Sequence, residues 1–567
     1  MDCCQSAHVT EPLVVVVTAL VVIAAAALAG PRLRVAAPLV LVAIGVAASF
    51  LPVFGAVHVE PAWILQGVLP PLLYSSAVSM PSMNFRREFG AISGLSVVLV
   101  VGTALLLGLF FTLAVPDLGF AWGVALGAVV SPTDAVATSI VKHAPVSRRV
   151  VAMLDGESLL NDATALVLLR TAIVATAAAF SFWGAVGTFA YSVAAALVIG
   201  WAVGRLTLLV RARVTDPTAN TVISFTVPFL ASVPAEHLGA SGLVAAVVAG
   251  LVTGIRAPRD LSPRDRLSDS QNWRTVELVL EGAVFLTMGV QLSSIVADVE
   301  RDAASVGTAV LVAACALALA VLVRAAYVSS LLGVLAARTK RSGAIRTRVL
   351  GLRERIGTPE GKREALAEPG SRRRPPSERE LDRFAARITR ILADLDYFRR
   401  EALGWREGTA VVWAGMRGAV TVAAAQTLPE NAPQRPVLVL IAFVVALLSL
   451  LVQGGTVGPL VRRLAVRADR TAIAEQIADE RTRIAEIMRS GGEVLPEPPR
   501  PEVGVAPDGL DAAKERRLAT IERQRSALLD ARDNGTFDAD VLQDALADLD
   551  AAQIAIEMAE RPVDLDT

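Results

Sequence analysis

The chain has 567 residues, of which 54% are hydrophobic, with a mean hydropathy of +0.54 and 54 basic residues balanced by 54 acidic ones. A soluble protein of this length would divide its apolar residues among several cores, whereas here they form long blocks, many reaching the ~20 residues that cross a bilayer as a helix. The neutral total argues against nucleic acid as a partner, and the three cysteines (Cys3, Cys4 and Cys315) give no disulfide framework and no metal-ligand cluster.

Apolar blocks read against basic connections give about thirteen spans, near 11–30, 35–54, 62–80, 90–115, 120–141, 150–178, 184–205, 218–236, 241–255, 276–297, 306–336, 408–428 and 437–461. Basic residues concentrate in alternate connections, among them Pro31–Arg34, Lys142–Arg149, Arg205–Arg213, Arg256–Arg274 and Arg338–Arg406. By the positive-inside rule this puts the N-terminus outside and the C-terminus in the cytoplasm. The fold class is therefore an all-α polytopic membrane protein. A transmembrane domain covers 1–461, with a basic loop at 338–406, and a cytoplasmic helical tail covers 462–567. The loop holds 19 Lys/Arg against 10 Asp/Glu and suits anionic lipid headgroups; the tail holds 15 against 23. Cys315, in an Ala/Leu run, reads as a packing residue.

Carboxylates inside apolar sequence are the main clue to function. Each costs roughly 2.5–3.5 kcal/mol at bilayer depth even on lenient scales, and such residues mark ion or proton pathways. The fifth span carries Ser131-Pro132-Thr133-Asp134 at its middle. Pro132 lacks an amide proton and disfavours helix at Ser131, so the helix breaks there, and broken helices expose the carbonyls that transporters use for ions. A plain proline kink with a hydrogen-bonded Asp134 is the alternative. In the sixth span, Glu157, Ser158, Asn161 and Asp162 share one helix face, offering the hard oxygen ligands that an alkali cation prefers. A capping cluster explains its first residues but not Asp162. Asp155 reads as solvated, at the cytoplasmic end.

Arg324, alone in the eleventh span, needs a partner, and Glu157 is the natural one; snorkelling to the interface is the alternative. In the twelfth span Gly415-Met416-Arg417-Gly418 interrupts the apolar run. Interrupted segments seven spans apart suit two inverted repeats. Arg417 would pair with a carboxylate, face a helix C-terminus, or lie at the interface. Glu281, inside the tenth span, is a secondary pathway residue. Glu236 and His237 read as outer-surface residues, and His143 as a loop histidine.

The stretches SPTDAVA (131–137), GESLLNDATALVL (156–168) and GMRGAVTVAAA (415–425) resemble the signature segments of monovalent cation:proton antiporters, nearest to the NhaP-type bacterial sodium/proton antiporters. LPPLLYSSA (69–77), SGLVAAVVAGLVTG (241–254) and EGAVFLTMGVQL (281–292) extend the resemblance over roughly residues 10–465, and 527–550 is similar to tails of this branch. The resemblance implies thirteen helices with inverted repeats and crossing broken helices, a homodimer, and a plasma (inner) membrane location. It implies Asp162 as principal cation and proton carrier, with Asp134, Ser158 and the Thr133 carbonyl as further Na+ ligands. Asn161 takes the partner position, and Glu157 with Arg324 forms a structural ion pair. Two departures stand out: Ser75 where many relatives carry an acid, and Ala135 where some have proline.

A buried carboxylate favours its protonated form and a bound cation favours its charged form, so H+ and Na+ would compete for one group. The expected function is secondary exchange of Na+ or Li+ for H+ in pH and sodium homeostasis, with no enzymatic chemistry and no cofactor beyond the transported ions. With Asn161 unable to titrate, exchange would be electroneutral. The alternatives are K+/H+ exchange by the same fold, a passive cation channel and, more distantly, an intramembrane aspartyl protease using Asp134 and Asp162. The usual Gly-x-Gly-Asp context of such a protease is absent, and no P-loop is present to suggest ATP drive.

Overall fold

The computed structural model describes residues 3–33, 35–51, 60–134, 136–142, 146–177, 182–301, 305–357, 378–401, 403–465, 470–492, 507–535 and 537–558. Ala135 and His143 lie outside these residues. The described chain is helical throughout and forms two compact units, one of 1–260, 267–332 and 404–466, the other of 261–266, 333–403 and 467–567.

In the first unit the helices run α1 (Cys3–Leu33), α2 (Ala37–Ser49), α3 (Leu69–Ser79), α4 (Ser82–Ser93), α5 (Val100–Ala114), α6 (Phe120–Val130), α7 (Val136–Lys142), α8 (Arg148–Ala177), α9 (Phe182–Arg211), α10 (Pro217–His237) and α11 (Gly242–Asp260). They continue as α12 (Pro263–Val290), α13 (Leu292–Arg301) and the 52-residue α14 (Val306–Gly357). The second unit contributes α15 (Glu378–Arg400). The first unit then resumes with α16 (Trp405–Trp413), α17 (Ala419–Gln426), α18 (Arg435–Ser449) and α19 (Gly455–Ala465). Wider π-turns at Trp63–Val68, Gly94–Leu99 and Leu450–Gly454 lead into α3, join α4 to α5 and join α18 to α19.

Among the described residues, eight helices are long and apolar enough to cross a membrane: those within α1, α4–α5, α8, α9, α11, α12–α13, α14 and α18–α19. The other segments read as spans are helical but short, broken or more polar. α2 has 13 residues, α3 has 11, and α10 carries Pro228 and Pro234 among hydroxyl side chains. α6–α7 and α16–α17 are interrupted, which is what places them at the site.

Charged helix ends account for the boundary differences. The sequence places a basic loop at Arg256–Arg274, but α12 already starts at Pro263. There the Ser262 hydroxyl accepts from the Asp265 amide (3.2 Å) and donates to its carboxylate (2.6 Å), a cap followed by proline at the first helical position. Asp269 is then buried against Arg211 (2.9 Å). Likewise α4 begins at Ser82, ahead of the apolar run, because Glu88 is buried in a bidentate pair with Arg149 (2.6 and 3.2 Å). Cys315 is exposed on α14, so it is no packing residue.

In the second unit α20 (Arg470–Gly492), α21 (Pro507–Asn534) and α22 (Ala539–Met558) pack around Ile484, Ile521, Leu528, Val541, Leu542 and Leu549. Ile388 and Leu392 of α15 pack on Val349 and Leu350 at the end of α14.

Candidate functional site: two crossing helix breaks beside α8

α6 stops at Val130 and α7 starts at Val136, while α16 stops at Trp413 and α17 starts at Ala419. The two interrupted strands of backbone meet directly, since the Asp134 amide donates to the Met416 carbonyl (2.7 Å). Each helix break leaves unpaired carbonyls at one half-helix end and unpaired amides at the other.

Two charged side chains serve those ends. Arg417, 2% exposed, donates from Nε to the Val130 carbonyl at the end of α6 (3.2 Å) and from Nη1 to the Gly415 carbonyl beyond α16 (2.6 Å). A guanidinium at two converging negative ends is electrostatically favoured. Asp134 accepts from the Val136 amide at the start of α7 (3.1 Å), and its carboxylate lies against Gly418, the residue that caps α17. A Cβ at Gly418 would collide with that carboxylate, so glycine is required there by space.

α8 supplies the other wall. Glu157 and Arg324, each 2% exposed, form a bidentate pair: Nη1 reaches Oε1 and Nη2 reaches Oε2 at 2.7 Å, while Nε donates to the Val411 carbonyl (3.0 Å). Arg324 is thus a buried strut and does not snorkel. A Cβ at Gly415 would strike its guanidinium. The Thr133 hydroxyl donates to Glu157 Oε1 (3.1 Å). Asn161, fully buried, donates from Nδ2 to both the Thr133 carbonyl (3.0 Å) and its hydroxyl (2.8 Å). Since a carbonyl only accepts, this fixes the amide orientation and leaves Asn161 Oδ1 buried with no partner among the described residues. The Ser131 hydroxyl adds a bond to the Val100 carbonyl of α5 (3.0 Å). From the other side Ser449 accepts from the Arg417 amide (2.8 Å) and donates to Gln453 (2.6 Å).

Asp162, one residue on from Asn161, is 8% exposed, and among the described residues its carboxylate has no hydrogen-bond donor. Glu281 is half-buried within α12. Ser158 is half-buried and donates to the Asp155 carbonyl (3.1 Å). Asp155 is not solvated: it is part-buried and paired with Lys142 (2.9 Å). Ser75 is buried in α3. The geometry therefore gathers Thr133, Asp134, Glu157, Asn161, Arg324 and Arg417 into one connected network, with Asp162 beside it.

A cavity of about 540 Å3 opens toward the C-terminal end of α8, with Leu65, Gln66, Leu166, Arg170, Glu236 and Leu243 on its walls. Leu166 lies one turn beyond Asp162 on the same face. Leu65, Leu166 and Leu243 belong to an apolar cluster that includes Ala163, and Asp162 is not among the residues that line the cavity. Arg170 pairs with Glu236 across it (3.4 Å).

Sequence reasoning left three features unread. The Asn161 grip on Thr133 follows from the break itself, because a freed carbonyl needs a donor. The buried pairs Arg149–Glu88 and Arg211–Asp269 carry no such signal, since their members sit in stretches that hydropathy assigns to loops.

The profile described as "sodium/hydrogen exchanger, transmembrane" matches residues 16–356 and 384–463. An uncharacterised Na+/H+ exchanger of Mycobacterium tuberculosis is 27% identical over 96% of both chains. The Na+/H+ antiporter ApNhaP of Aphanothece halophytica is 25% identical over 88% of this chain and 82% of its own. A sodium, potassium, lithium and rubidium/H+ antiporter of Bacillus subtilis is 29% identical over 47% of this chain and 41% of its own. The structure of the sodium proton antiporter MjNhaP1 from Methanocaldococcus jannaschii superposes with a TM-score of 0.55 at 15% identity, covering 81% of this chain and 100% of that one, a likeness of fold. With the profile spanning most of its length and the crossing helix breaks in place, the chain belongs to the transmembrane sodium/hydrogen exchanger family.

Proposed function

We propose that this protein exchanges Na+ for H+ across the plasma membrane as a secondary antiporter, with Asp162 carrying each ion in turn. The observation that carries this reading is a buried carboxylate without a hydrogen-bond donor among the described residues, set beside two crossing helix breaks. Such a group binds either a proton or a cation, and the two occupants exclude each other. Asp134, Ser158 and the Thr133 carbonyl are the further Na+ ligands; Glu157 and Arg324 brace the site; Arg417 holds the carbonyl ends of the two breaks, and Glu281 is a secondary pathway residue. Asn161 titrates no proton, so the exchange is electroneutral, one proton per cation. The working form is a homodimer with the N-terminus outside and the C-terminal tail in the cytoplasm, serving pH and sodium balance.

Cation-induced proton flux in everted vesicles, run separately with Na+, Li+ and K+, tests this reading. Flux with Na+ and Li+ is expected, and its absence with every cation would end it. In proteoliposomes, an exchange equilibrium that shifts with voltage would contradict electroneutrality. A second reading, K+ as a substrate, is favoured by the Bacillus subtilis relative, whose printed name includes potassium. Saturable flux with K+ alone would select it.

A further inference from the structure

The far ends of α6 and α17, away from the breaks, meet at one dipeptide, Gln434-Arg435, where α18 begins. α17 has only eight residues, too few to hold a helix by propensity alone. Its last three carbonyls each have a donor beyond the helix: Ala424 accepts from the Thr427 hydroxyl (2.7 Å), Ala425 from the Leu428 amide (3.2 Å) and Gln426 from Arg435 Nη2 (2.9 Å). Arg435 Nε also donates to the Leu428 carbonyl (2.8 Å). One guanidinium thus closes the negative end of α17, and its planar fork spans two carbonyls at once. Arg435 is one of the few basic residues in the connections that the positive-inside rule assigns to the exterior. A helix end in need of donors accounts for it where orientation does not.

Gln434 reaches the other half-helix. Its Nε2 donates to the Pro116 carbonyl (2.9 Å), in the turn that leads into α6. Gln434 has φ +50°, and Asp117, next to Pro116, has φ +60°; among the described residues these are the two non-glycine residues in the left-handed region. Side chains disfavour that region and persist in it where the surroundings impose it. The hydrogen bond between the two turns is such a constraint.

We propose that Gln434 and Arg435 are positioning residues for the transported cation. Their turn clasps the far ends of α6 and α17, and each half-helix carries that placement to its near end at the break. There Asp134 lies against Gly418, the cap of α17. Loosening the clasp alters the fit of the site, which reads as weaker Na+ binding and a changed preference between Na+ and the smaller Li+. This effect rests on the exchange reading above; the clasp itself does not.

Two readouts on the full-length protein separate them: amide hydrogen exchange of residues 419–426, and the half-saturating Na+ and Li+ for proton flux in everted vesicles. Arg435→Met removes the fork and keeps the bulk. It is expected to speed hydrogen exchange across α17 and to raise half-saturating Na+ about ten-fold, the size of a strong helix-end interaction, with the maximal rate within about two-fold of wild type. Arg435→Lys keeps the charge without the fork and should fall between the two. Gln434→Ala, which loses one hydrogen bond, should raise half-saturating Na+ about three-fold. A purely structural role would lower folded protein and maximal rate but leave half-saturation and the Na+/Li+ ratio at wild-type values in all three variants; that result would overturn the proposal. Unchanged hydrogen exchange in Arg435→Met would overturn the clasp. A wild type without flux would end the exchange reading and leave the clasp to be decided by hydrogen exchange.

Discussion

The two helix breaks are made by different means. The α6–α7 break has proline, which interrupts a helix by removing a donor and crowding the preceding turn. The α16–α17 break has Gly415 and Gly418, which bring no clash of their own. They admit other groups: a Cβ at Gly415 would meet the Arg324 guanidinium, and one at Gly418 the Asp134 carboxylate. One break is thus made by its own covalent geometry and the other by what must fit into it. The charges follow the same division of ends, Arg417 on two carbonyl termini and Asp134 on two amide termini.

The largest way to disturb this arrangement is to unbalance the strut behind it. Removing one partner of a buried ion pair costs ~3–5 kcal/mol, because the other charge is left without compensation. Arg324→Met and Glu157→Leu are each expected to lower thermal stability in detergent by that order, and the two together by less. If the single and double variants lose the same amount, the pair is not the strut.

Next come the glycines. Gly418→Ala and Gly415→Ala force a methyl into filled space, an overpacking of about 1–3 kcal/mol. Na+-dependent flux should fall on the order of tenfold. Gly90→Ala is the control, since its Cβ would meet nothing within 4 Å. Equal behaviour of all three would remove the spatial argument.

An effect of the same order on stability is expected at Asn161. Asn161→Ala frees the Thr133 carbonyl at a cost of about 1–3 kcal/mol. Asn161→Asp should do no better, because a carboxylate cannot donate to that carbonyl. Thermal unfolding with flux on the same samples checks both, and an Asn161→Asp variant as stable as wild type would contradict the clamp on Thr133.

Smallest of all is Pro132→Ala. The bonds from Ser131, Asn161 and the Asp134 amide hold the break open without the proline, so a change within about 1 kcal/mol is expected. A variant that loses exchange would show that proline does more than start the break.

Much of this was legible in the sequence, for physical reasons. Proline inside an apolar run, four oxygen-bearing residues on one helix face, and a lone intramembrane arginine are local signals, and the structure buries all of them except Ser158, which is half-buried. Sequence alone allows Arg417 three surroundings, because facing two helix ends requires knowing that the two breaks cross. The start of α12 was unreadable by hydropathy: Arg264, Arg266 and Asp269 look like loop until their partners in α22 and α9 are known. In the sequence Asn161 stands out as a group that cannot titrate, whereas in the structure its amide donors tie the break to α8.

The central claim is that Asp162 is the carrier and its neighbours arrange it. Asp162→Asn keeps the side-chain volume but removes the charge and the proton-binding oxygen, so the most direct measurement is cation-induced proton flux of this variant in everted vesicles with Na+, Li+ and K+. Silence is expected for every ion at expression equal to wild type. Full exchange in the variant would contradict it.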